Sequence, residues 1–203
     1  MSFHAWLLMI VTCGVGSLIP GPNAILVLNH VTFYGISKTL STIAGGAIGF
    51  TLMIAICLFG VGTIIVAEPV VLIVLKVLGG AYLVFLSHKL WIAPPIELKR
   101  GKWSLRDSRF KMFRNGFMAA VTNPKAMMLY SVVLPGFVDD KRNLCFQFMI
   151  MAGTLVFIEC FVEFAFALVG SELKYCLQRS GRKFNRVCSM IFLVFALVIQ
   201  ITK

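Results

Sequence analysis

The sequence predicts an all-α integral membrane protein of six transmembrane helices, forming one domain over residues 1–203. Three observations carry this. Of 203 residues 59% are hydrophobic, about 120 positions, and a helix crossing a hydrocarbon layer of about 30 Å uses roughly 20 of them. Charged residues make up 13%, about half the roughly 25% usual in soluble domains. The apolar runs are too long for core helices, and strands at that depth would leave lipid-facing backbone groups unpaired. These facts exclude an ordinary soluble domain, a disordered chain, a coiled coil and a disulfide scaffold.

The first span, 5–29, follows Met1-Ser2-Phe3-His4-Ala5-Trp6. That start lacks the cationic region and small-residue cleavage site of a signal peptide, so the span is expected to stay in the mature protein. The second and third, 39–66 and 69–90, are joined by a tight turn at Glu68-Pro69. The longest connection, 91–114, holds Pro94-Pro95 and sets basic residues among Trp103 and Phe110, the pattern of an interfacial loop on anionic lipid. The fourth and fifth spans are 115–137 and 144–170, and the sixth, 187–202, is the shortest.

A net charge of +11 raises nucleic acid as a partner, but its distribution argues against one. With six spans, loops one, three and five carry fourteen Lys and Arg, against three on the opposite side. By the positive-inside rule the basic loops are cytoplasmic and both termini lie outside. The cysteines (13, 57, 145, 160, 176 and 188) show no C-x-x-C spacing and read as free thiols packed among apolar residues.

A charged side chain at a helix centre costs roughly 2.5–3.5 kcal/mol on the insertion scale, so each one in a span needs a reason. Lys76, Lys125, Glu159 and Glu163 qualify. Lys76 is close enough to a span end to snorkel. Glu159 and Glu163, four residues apart, share a helix face, and Lys125 is expected to pair with one of them beside a hydrated cavity.

Backbone disruption is the second anomaly. Pro20-Gly21-Pro22-Asn23 in span one and Asn123-Pro124 in span four cannot continue a regular helix. At membrane depth such breaks persist where protein or water satisfies the freed groups. Spans one and four open the two sets of three, and an odd number per half gives the halves opposite orientations. The reading is therefore a 3+3 inverted repeat with broken helices one and four, the arrangement that marks a transporter's binding site. Gly45 and Gly49 form a G-x-x-x-G that suits close helix packing and is compatible with a homodimer.

Four ordered motifs resemble the LysE/RhtB family of bacterial amino-acid exporters: Pro20-Gly21-Pro22-Asn23; Ala44-Gly45-Gly46-Ala47-Ile48-Gly49; Lys76-x-x-Gly79-Gly80-Ala81-Tyr82-Leu83; and Asn123-Pro124-Lys125-Ala126 with Leu134-Pro135-Gly136-Phe137. The resemblance implies an exporter of amino acids or close derivatives in the bacterial inner membrane, driven by proton antiport and needing no cofactor. Gly181-Arg182-x-x-Asn185 looks like the cysteine/O-acetylserine branch, with threonine/homoserine as the other subgroup. Ala24 and Gly136 stand where many relatives carry Asn and Gln, which bears on substrate identity.

On this reading an amino acid needs partners for both of its charges. Lys125 or freed helix-end amides suit the carboxylate. Freed carbonyls near Pro20 and Pro124, with Asn23, Asn123 or a glutamate, suit the ammonium. Glu159 or Glu163, withdrawn from water, is the candidate proton carrier. The rival classes are a structural membrane protein, a membrane-embedded enzyme and a metal-ion exporter. His4, His30 and His88 are scattered near span ends without catalytic or ligand spacing, and the spans lack a Cys/His/Asp cluster for a metal.

Overall fold

Short polar side chains set where several helices begin. Ser2 accepts the Ala5 amide at 3.2 Å and starts α1, Phe3–Leu18. Ser108 does the same for α5, Arg109–Val121, through the Lys111 amide, and Asn143 for α7, Leu144–Leu168, through that of Phe146. Each satisfies one of the donors that a helix start leaves unpaired. Between these lie α2 (Pro22–Tyr34), α3 (Ile36–Ala55), α4 (Pro69–Ile92) and α6 (Pro124–Val133), with α8 at Asn185–Val194. A π-helical turn, Ile56–Val61, prolongs α3, and a 3-10 turn, Leu134–Phe137, prolongs α6.

This computed structural model describes residues 1–61, 69–92, 107–139, 141–170, 182–183, 185–194 and 196–197, without the side chains of 61, 69, 71, 72, 75, 76 and 132. The turn at Glu68, the basic loop over 93–106, Cys176, Gly181 and the chain end from 198 lie outside the described residues, as does the Lys76 side chain.

No strand occurs among the described residues. Two helices, Ile36–Gly60 and Leu144–Leu168, are long and apolar enough to cross a membrane. Two more crossings are available if each bent pair counts as one span: α1 with α2, bent by 52°, and α5 with α6 and its 3-10 turn, bent by 47°. The expected third and sixth spans are represented by the shorter apolar stretches Val77–Ile92 and Asn185–Val194. Among the described residues two to four of the six expected crossings are thus present by length and composition. Each bent pair is followed by a long helix, α3 or α7.

The chain is apolar outside and partly polar inside. Phe157 and Phe161 on α7 are 71% and 65% exposed, whereas Gln147, Glu159 and Glu163 on its other face are buried. A soluble protein would reverse this, and a lipid-facing surface requires it. It is a multi-pass membrane protein.

Its centre is the crossing of α3 with α5. A Cβ added to Gly45 would lie 1.9 Å from the Phe113 carbonyl oxygen, and one added to Gly116 would lie 2.0 Å from that of Thr42. Backbone touches backbone there. The G-x-x-x-G is therefore engaged within the chain, which removes the sequence argument for a dimer. Gly35, at φ 78° and ψ 171°, turns α2 directly into α3 in a conformation open to glycine alone. Farther out, Ser87 and Ser189 exchange hydroxyl-to-carbonyl bonds of 2.8 Å and join α4 to α8.

Candidate functional site

The two helix breaks meet. In a continuous helix the Gly16 carbonyl would receive the amide of residue 20, but Pro20 has none, and the Ile19 carbonyl would receive that of Asn23, which the bend carries into the first turn of α2. Lys125, from the other bent pair, reaches both carbonyls, of which that of Gly16 also accepts the Ile19 amide at 3.2 Å. Its Nζ donates to the Gly16 oxygen at 3.0 Å and the Ile19 oxygen at 2.8 Å. A cation is well placed there, because the C-terminal end of a helix carries partial negative charge. Asn123 completes the second break from the other direction, its Oδ1 accepting the amides of Lys125 at 3.1 Å and Ala126 at 3.4 Å at the start of α6.

α7 brings the two carboxylates to the same place. Glu159 Oε1 accepts from Ser17 Oγ at 2.8 Å and from the Tyr130 hydroxyl at 3.2 Å. Glu163 Oε1 accepts from Asn23 Nδ2. The Asn23 Oδ1 atom is buried and has no hydrogen-bond partner among the described residues. Gly21, Asn23, Asn123, Lys125, Glu159 and Glu163 surround one cavity together with Ser17, Ala24, Phe50 and Val162. Measured for the centre of a water molecule it is about 10 Å³, room for about one water.

Two expectations change here. The lysine forms no ion pair with Glu159 or Glu163 among the described residues and takes backbone carbonyls instead. The bend presents two carbonyls at close range, and each carboxylate is already supplied by hydroxyl or amide donors. The prolines also do not line the cavity: Pro22 and Pro124 are exposed, Pro20 is half-buried, and their contribution is the break itself. Ser17 and Tyr130 went unnoticed in the sequence. The signal was present in each, a polar group within an apolar run of a span that also holds a break.

His30, near the end of the first expected span, is fully buried, its Nδ1 2.6 Å from Thr42 Oγ1, with Tyr34 edge-on to the ring at 5.4 Å. Among the described residues no three of His, Cys, Asp and Glu are grouped as metal ligands. The five described cysteines are free.

Residues 14–203 match the family model described as LysE type translocator. The chain is similar to a homoserine/homoserine lactone efflux protein of Salmonella typhi, 23% identical over 96% of this chain and 95% of that one. It is also similar to a leucine efflux protein of Klebsiella pneumoniae subsp. pneumoniae, 27% identical over 88% and 86%. An uncharacterized membrane protein of Vibrio cholerae is 28% identical over 85% and 84%. No solved structure matches the chain.

Proposed function

Because the chain belongs to the LysE type translocator family, we propose that it is a secondary exporter that carries neutral amino acids out of the bacterial cytoplasm in exchange for protons. One observation carries this reading. Two broken helices and a third, carboxylate-bearing helix converge on a cavity lined by one lysine, two glutamates and two asparagines, all buried. A membrane interior makes such charge expensive, and a passage for a charged solute gives it employment. The homoserine and leucine efflux relatives favour neutral substrates. The Gly181-Arg182-x-x-Asn185 ending keeps cysteine and O-acetylserine in the panel with homoserine and threonine.

In this cycle the substrate's carboxylate pairs with Lys125, and its ammonium takes the acceptors freed at the α1 break. Glu163 or Glu159 carries the coupling proton, which returns as substrate leaves. The two bent pairs, each followed by a long helix, are corresponding parts of an inverted repeat, and the basic loops face the cytoplasm. A one-water cavity suits the occluded stage of alternating access.

The test is transport in proteoliposomes. Homoserine, threonine, cysteine, O-acetylserine and leucine are offered to vesicles acidified inside, with and without a protonophore. Accumulation of at least one that collapses with the gradient is the expected result. If none moves, either down a pH gradient or in counterflow, the reading is wrong.

A further inference from the structure

Resting on the exporter reading, we propose that the Lys125 ammonium is a tethered stand-in for the substrate's α-ammonium, holding its subsite until the substrate displaces it. The two are the same chemical group, a primary ammonium with three N–H donors. Lys125 Nζ uses two of them on the Gly16 and Ile19 carbonyls. These are the acceptors that a broken helix offers to a cation. Two carboxylates line the same cavity, yet the lysine pairs with neither. The subsite therefore selects an ammonium by carbonyl dipoles.

Space makes the occupancy exclusive. The cavity holds about one water, so a substrate ammonium cannot sit beside the lysine head and must replace it. Asn23 Oδ1, unpartnered and on the same cavity wall, offers the incoming group a third acceptor. The displaced Lys125 is then free for the substrate's carboxylate. On release it returns, so the empty carrier never leaves the helix-end carbonyls without an ammonium while its halves change places. Lys125 is thus required for the empty carrier's return more than for the loaded carrier's passage.

The experiment uses the full-length protein with Lys125→Met, which keeps the length of the side chain without its donors, and Lys125→Gln, which keeps a neutral donor. Ethylammonium chloride is the probe and potassium chloride at equal ionic strength the control. Purified variants are expected to melt about 5 °C higher at saturating ethylammonium, while wild type is unmoved because its own lysine fills the subsite. In proteoliposomes both counterflow and net efflux of the variants are expected to fall, because Lys125 also takes the substrate's carboxylate, with net efflux falling about tenfold further than counterflow. The proposal is overturned if potassium acts equally, if wild type responds alike, if counterflow falls as far as net efflux, or if neither variant folds. A wild-type protein that moves no amino acid fails the exporter reading first, and that failure is recognised without either variant.

Discussion

At Gly46 an added methyl would lie 2.6 Å from Asn23 Nδ2 and 3.5 Å from Glu163 Oε2. The nearest atom is the end of a side chain that can move, so the fold can adjust, but the Asn23–Glu163 hydrogen bond cannot survive unchanged. A hydrogen bond to a charged group is worth roughly 1.5–3 kcal/mol, and about 1.4 kcal/mol is a factor of ten in rate. Gly46→Ala is expected to cut transport about tenfold or more and to lower the melting temperature of the purified protein by a few degrees at most, since Asn23 can move aside. Gly45 and Gly116 behave differently because their neighbours are backbone. Gly45→Ala or Gly116→Ala must push α3 off α5 and is expected to cost about 3 kcal/mol, at the upper end of overpacking effects. Gly153, where an added Cβ meets nothing within 4 Å, is the control, and Gly153→Ala should melt no lower than wild type. Thermal denaturation in detergent compares all of them.

At the scale of elements, much was legible. Prolines and asparagines interrupting apolar runs marked both bends, and the buried charges marked the lining. The partner of Lys125 was not legible. Residue spacing pairs charges on one helix, but which group lies opposite depends on how two bent helices cross. Carbonyls as partners leave no trace in residue identity, because every residue has one. Asn123 shows how a break is made and capped at once: its side chain holds the first amides of α6 while its position ends α5. Asn123→Ala is expected to cost about 1 kcal/mol of stability and Asn123→Ser to retain most of it, since Ser caps about equally well and brings no charge. Denaturation of the two variants side by side checks this.

For the whole molecule, the orientation proposed from loop charge has a direct test in a native residue. Cys145 is exposed at the start of α7, opposite in the proposed topology to the basic loops. A membrane-impermeant maleimide is expected to label Cys145 in intact cells, with the signal lost in Cys145→Ser. Labelling that requires broken cells would reverse the orientation. The α3–α5 crossing bears on the same scale. Successive residues of one helix divide two duties: Gly45 rests on bare main chain, and Gly46 faces the chamber wall. With no side chains between them the two rods rest main chain on main chain, and a slight change in their crossing would alter the room that Gly46 leaves for Asn23, one residue away.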